Sequence, residues 1–233
     1  MRNLLYTIIF IITCQPIVSQ VETKEETAVD SLYREDQFYV GITYNLLGTK
    51  PVGIKQSGFS SGFHIGTIKD MPINKKRNVS IGIGIGYSGS SYNQNMLIDK
   101  DELGNFTYTS LSDLDVEYTK NKFATHMVEL PIEFRWRTST PSEYKFWRIY
   151  AGFKLGYVFA NTSKFKGDLG TLTFKNNNDF NDFQYGLTCS FGYNTWNLFF
   201  YYALNPIFSS DEKINDTSID MNAIKIGLMF YIL

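Results

Sequence analysis

Residues 124–137 read A-T-H-M-V-E-L-P-I-E-F-R-W-R, and the way they alternate decides the class of fold. His126, Val128, Leu130, Ile132, Phe134 and Trp136 share one parity, while Met127, Glu129, Pro131, Glu133, Arg135 and Arg137 share the other. A helix would smear both sets around its surface, whereas a strand sends alternate side chains to opposite faces. One face is apolar and ends in an aromatic ring; the other holds two carboxylates and two guanidiniums. Two architectures suit such a strand. In a soluble sheet the charged face meets water, and in an outer-membrane barrel the apolar face meets lipid while the charges line a narrow lumen.

The same period of two recurs along the chain. Phe38, Val40, Ile42, Tyr44 and Leu46 alternate with Tyr39, Gly41, Thr43 and Asn45; Phe59, Phe63 and Ile65 oppose Ser60, Gly62, His64 and Gly66. In 79–88, Val79, Ile81, Ile83, Ile85 and Tyr87 face away from Ser80, Gly82, Gly84, Gly86 and Ser88. Further runs cover 147–159, 183–193, 196–202 and 224–232, where Ile224, Ile226, Leu228, Phe230 and Ile232 oppose Lys225, Gly227, Met229 and Tyr231. With 124–137 these make roughly eight segments of about ten residues, the pattern of an all-β, antiparallel up-and-down transmembrane barrel. Connections at 69–77, 138–145 and Asn194-Thr195 are short, those at 91–122, 161–180 and 206–220 are long and polar, and the one at 48–56 is intermediate. Short periplasmic turns and longer outer loops are the expected arrangement, with the N-terminus periplasmic. Within 91–122, residues 106–118 are read either as a loop or as a protruding hairpin, so ten strands stay open beside eight.

The strand charges are sorted. Glu129, Glu133, Arg135, Arg137, Arg148, Lys154 and Lys225 all fall on the Gly/Ser/Thr parity. A cation facing lipid at mid-membrane costs roughly 2–4 kcal/mol, so a bilayer would impose this sorting. Glycine weakens a strand, and a whole face of it is explained by a crowded lumen that must take large charged side chains. A soluble periplasmic binder of the lipocalin type would turn the faces the other way, apolar inside and charged outside. Alternation alone does not separate the two; glycine on the charged parity, aromatics ending the apolar one and a C-terminal strand favour the membrane.

Composition agrees. The 233 residues carry a net charge of -1, 16% aromatics and 18 glycines, which offers no basic excess for nucleic acid. No apolar run after residue 20 approaches the roughly 18 residues of a spanning helix. Residues 1–19, with Arg2, the apolar Leu4–Thr13 and a small-residue site at Ile17-Val18-Ser19, read as a cleaved signal peptide. The rival reading makes Ile11-Ile12-Thr13-Cys14 a lipobox and Cys14 a lipidated terminus. Residues 20–36 are acidic and aperiodic and read as a disordered periplasmic lead-in, leaving 37–233 as the barrel domain. Cys189, on an apolar parity and without a partner once Cys14 is removed, reads as a small hydrophobe.

Chemistry-bearing constellations are few. His64 and His126 are the two histidines, and neither has a second ligand two residues away on its own face, so no metal, cofactor or catalytic residues are assigned. His64 is placed in the lumen and His126 near the outer rim, where a surface enzyme would need a nucleophile that no spacing supplies. The seven strand charges are read as a structural network that plugs a lumen too narrow to conduct freely. On this reading Glu133→Ala leaves an arginine unpaired and costs a few kcal/mol.

The E-L-P-I-E-F-R-W-R strand, the Gln20 start, the glycine-rich alternation and the C-terminal I-G-L-M-F-Y-I-L together resemble the outer-membrane β-barrel domain proteins of Bacteroidota, many described as porin-family or PorT-like. The likeness spans about residues 37–233, and its most specific part is the pattern E-x-P-x-x-x-[KR]-[YW]-[KR] at 129–137. It implies an integral outer-membrane, non-enzymatic protein of the cell envelope, a monomeric barrel surrounded by lipid. PorT itself is associated with type IX secretion and gliding, which implies an accessory role beside other envelope or secretion proteins. Three readings stand against that one: a passive or gated porin for small solutes, a surface enzyme using His126, and the soluble binder.

Overall fold

An alternating strand leaves an apolar face to be covered and a row of backbone donors to be paired; closing the sheet on itself in a bilayer does both. The computed structural model describes residues 36–138 and 146–232. In chain order it contains β1 (Gln37–Gly48), β2 (Ser61–Pro72), β3 (Val79–Asn93), β4 (Met96–Lys100), β5 (Phe106–Ser110) and a single helical turn, α1 (Leu111–Leu114). There follow β6 (Tyr118–Arg137), β7 (Trp147–Gly167), β8 (Gly170–Lys175), β9 (Phe183–Tyr193), β10 (Trp196–Ala203), β11 (Lys213–Ile214), β12 (Thr217–Ser218) and β13 (Asn222–Ile232). The readings made of residues 1–19 and of nearly all of 20–36 lie outside the described residues.

The wall consists of eight strands in the order β1-β2-β3-β6-β7-β9-β10-β13, each antiparallel to its neighbours. Closure is made by β13 on β1, in unbroken register from Phe38↔Ile232 to Gly48↔Asn222. This is the eight-stranded up-and-down barrel. Residues 106–118 do not add wall strands: β4 and β5 pair only with each other, and so do β11 and β12.

The faces fall as the charge sorting demands. Phe134, Ile149, Leu155, Leu187 and Leu198 point outward and are exposed, whereas the opposite parity of the same strands is buried. The inverted arrangement of a soluble binder is therefore absent from the described wall. Aromatic rings gather outside at two levels. Trp136, Trp147, Tyr193, Trp196 and Phe230 ring the end that carries the short connections, with Trp196 and Phe230 at 4.9 Å. Tyr44, Phe59, Tyr87, Phe159, Tyr157 and Phe183 ring the other, with Tyr44 and Phe59 at 5.4 Å. Two such girdles flanking an apolar band mark where a barrel meets the two bilayer interfaces.

Narrow closure explains two sequence oddities. A Cβ on Gly227 would collide with the Ile42 carbonyl, and one on Gly86 with the Tyr39 hydroxyl, so the glycines let backbone and lumen side chains approach. Pro131 sits mid-strand in β6 without an N–H to give. The β3–β6 register skips from Ile83↔Ile132 to Gly86↔Glu129, and Gly84 leaves room for the proline ring beside it.

The lumen plug and its loop lid as the candidate functional site

β2 and β6 reach the short-turn end of the lumen together, because β3 pairs with both: Asp70 opposes Gly82 and Arg135 opposes Ser80. There Arg135 Nη1 donates to Asp70 Oδ1 at 3.0 Å and Arg137 Nη2 to Asp70 Oδ2 at 2.9 Å. Ser80 donates to the same carboxylate at 2.6 Å, and Arg137 Nη2 also reaches the Arg77 carbonyl at 2.9 Å. Arg135 Nη2 donates to Gln37 Oε1. Glu133 lies further off, its Oε2 at 3.5 Å from Arg135 Nε. All of these side chains are buried.

Halfway along the lumen a second layer forms around Glu129, whose Oε2 accepts from Lys154 Nζ at 2.8 Å and lies 3.7 Å from His64 Nδ1. His64 Nε2 is 3.3 Å from Thr43 Oγ1, and Thr43 in turn donates to Asn45.

Five cations (Arg135, Arg137, Arg148, Lys154, Lys225) thus meet three carboxylates (Asp70, Glu129, Glu133) inside the described wall. Aromatic faces supply the balance. Arg135 lies 4.1 Å over Tyr150, Arg148 4.5 Å over Phe146, Lys154 5.1 Å over Phe199 and Lys225 5.2 Å over Tyr201. A ring quadrupole attracts a cation by about 0.5–2 kcal/mol, most where water is excluded.

The long connections close the remaining mouth. The Phe180 and Phe208 rings meet tilted, with centroids 4.4 Å apart, both contact Phe123 at 5.6 and 5.5 Å, and Phe123 stacks on Tyr92 at 5.0 Å. Asn161 clamps Asn177 through two hydrogen bonds of 2.8 and 2.9 Å, and Tyr108 of β5 donates to Asp179 at 2.6 Å. Burial, then the neighbouring Asp179 carboxylate, holds the Tyr108 phenol above its ordinary value. The β4–β5 hairpin turns at 101–105, where Asp101 accepts the N–H groups of Leu103 and Asn105; chiefly through the Asn105 bond its carboxyl is held below the usual range. A cavity of about 10 Å³ between lid and middle layer, lined by Tyr92, Met127, Tyr201 and Lys225, has room for one water at most.

All seven charges selected from the sequence lie inside the barrel and are buried, but the structure divides them. Arg135, Arg137 and Arg148 belong to the short-turn end, Glu129, Lys154 and Lys225 to the middle, and Glu133 lies between. The residue missed is Asp70. The segment 69–77 reads as a turn, yet β2 continues to Pro72 and carries Asp70 into the lumen. A signal existed: five cations against two carboxylates on one buried face called for another acid.

His64 lies in the middle layer. His126 faces outward, with Nδ1 at 2.7 Å from the Tyr87 hydroxyl, while Thr125 points into the lumen. Cys189 is on the exposed outer face. Among the described residues no group of three His, Cys, Asp or Glu side chains is placed to hold a metal ion.

A family model described as "Outer membrane protein beta-barrel domain" matches residues 18–209. Among solved structures, Ail, the attachment invasion locus protein of Yersinia pestis, is similar at 11% identity and a TM-score of 0.35, over 86% of this chain and 100% of that one. The same protein in complex with the heparin analogue sucrose octasulfate matches at 12% and 0.35, with the same coverage. A structure described as "Asymmetric conductivity of engineered proteins" matches at 8% and 0.22, again over 86% of this chain and 100% of that one. Comparison with curated proteins gives no match.

Proposed function

The chain belongs to the family of outer membrane protein β-barrel domains, and from that premise we propose that it is a non-conducting, non-enzymatic outer-membrane barrel that acts through the hairpins of its loop end. The observation that carries this reading is a lumen filled along its whole length: the Asp70–Arg135–Arg137 cluster, the Glu129–Lys154 pair and the Phe123/Phe180/Phe208 lid stand one behind another. An eight-stranded wall encloses little more than its own side chains. The plug then fixes the barrel's shape, and the parts left to meet a partner are 91–122, 161–180 and 206–220. We place the short turns and the N-terminus on the periplasmic side and the lid on the cell surface.

Purified protein in planar bilayers is expected to give no ion conductance; stable channels would overturn the reading in favour of a passive pore. In intact cells a membrane-impermeant maleimide is expected to label Asn105→Cys and to spare Lys75→Cys. The reverse pattern would invert the orientation.

An accessory role in protein export is the finer reading that the likeness to PorT suggests. Its most specific motif is accounted for locally: Glu129 holds Lys154, Arg135 and Arg137 hold Asp70, Trp136 joins the girdle and Pro131 faces Gly84. Those contacts build a barrel of this kind and do not select an export role, so support for one must come from the loops. Deleting the gene and finding the secreted proteins unchanged would sink it. A surface enzyme finds no support: His126 lies among girdle aromatics, its close polar neighbour being the Tyr87 phenol.

A further inference from the structure

Beyond the loop-end girdle, β6 and β7 continue as a sheet that β8 widens. A shift of register at His126/Met127 reverses the parity of β7, so that Lys164 and Lys166 point outward like Lys120 and Lys122 of β6. The lysines are directly paired across the strands, Lys120 with Lys166 and Lys122 with Lys164, and Lys175 of β8 stands beside Thr162 on the same face. Like charges set opposite each other destabilise a sheet, so two such pairs in succession ask for a counter-charge.

No described carboxylate pairs with them. Among the described residues none of these ammonium groups is in an ion pair; the ion pairs formed are those of the lumen. Glu117 and Asp168 sit at the far tip of the extension, where Asp168 accepts the Glu117 N–H. Ala124 and Thr162 separate the girdle residues His126 and Ala160 from the first lysine pair. At ~3.3 Å per residue that pair lies roughly 13 Å along the strands from the girdle, at the depth of lipid headgroups.

We propose that this lysine face docks the phosphate-bearing headgroup of an outer-leaflet lipid. The lipid is identified by charge and by level: the aromatic ring below receives acyl chains, and the ammonium groups above meet phosphate where the hydrocarbon ends. The threonines on the face, Thr162, Thr171 and Thr173, add hydroxyl donors. Basic residues near an anionic membrane surface attract it additively, and several together make a lasting association. The inference rests on the orientation proposed above, with the lid end at the cell surface.

The test is native mass spectrometry of the complete barrel in detergent, titrated with lipid A and with the same lipid A after removal of its phosphates. The wild-type protein is expected to prefer the phosphorylated lipid by at least about tenfold, given the per-residue attraction of lysines to anionic lipid. K120Q/K122Q/K164Q/K166Q is expected to lose that preference, and K75Q/K76Q, at the opposite end, to keep it. A heat-dependent gel shift checks that each variant is folded; should the quadruple variant fail there, K122Q/K164Q makes the same comparison. Undiminished preference in the lysine variants overturns the proposal. Displacement of the lipid by excess inorganic phosphate also overturns it, since the face would then be a site for free anions. A wrong orientation would instead appear as inverted maleimide labelling with lipid preference intact.

Discussion

Asp70 engages two guanidiniums with one carboxylate, and everything that carboxylate touches is buried. Truncating one partner of a buried ion pair costs about 3–5 kcal/mol, because the surviving charge stays desolvated. Asp70→Ala is therefore expected to lower the unfolding free energy by about that amount, read from urea titrations of the folded protein in detergent. Asp70→Asn, which keeps one acceptor and the shape, falls between. Glu133→Ala, which the alternation alone marks as the costly change, is expected to cost less than half as much, since Arg135 retains Asp70 at 3.0 Å when the 3.5 Å contact goes. Equal costs would show that Asp70 is not the principal partner. The seven charges picked from parity were legible because a bilayer forbids them the other face. Asp70 was not, because Pro72 and Asn74 beside it carry turn chemistry that hides the end of β2.

At the level of elements, legibility follows the apolar face. Wherever one parity meets lipid the period of two is plain, and the eight wall strands follow from it. Past the girdle it fades: outward Thr162, Lys164 and Lys166 oppose inward Asn161, Ser163 and Phe165, both sides polar enough to pass for loop, although β7 runs on to Gly167. The lid has no period at all, since Phe180, Ile207, Phe208 and Ile219 are buried from irregular segments. One of its parts titrates. Burial first, then the carboxylates of Asp179 and Asp211, holds Glu212 above its ordinary 4.5, so the folded lid favours the protonated form. Such a group contributes stability that is full below the ordinary value and lost as pH rises through the raised one. Glu212→Gln is thus expected to slow hydrogen exchange of the lid amides, such as Ile219 N–H bonded to the Glu212 carbonyl at 3.0 Å, at neutral pH. The gain is roughly twofold to fivefold for a partly exposed pair. Near pH 4 wild type and variant are expected to converge; a difference that persists there would mean that charge is not its cause.

For the whole molecule the question is whether the lid alone keeps the lumen shut. Phe180 and Phe208 carry the aromatic cluster, and removing large buried rings costs about 3–5 kcal/mol each, so Phe180→Ala/Phe208→Ala is expected to unfasten the lid. It leaves the wall hydrogen bonds and both charged layers untouched. Glu129 with Lys154, and Asp70 with Arg135 and Arg137, still span the interior, and moving those charges aside would separate buried pairs. The double variant is accordingly expected to exchange its loop amides faster than the wild-type protein, yet to stay silent in planar bilayers and still shift on gels with heating. Conductance in this variant alone would make the lid a gate and the charged layers a passage, and the molecule would then be a closed pore instead of an anchor for its hairpins.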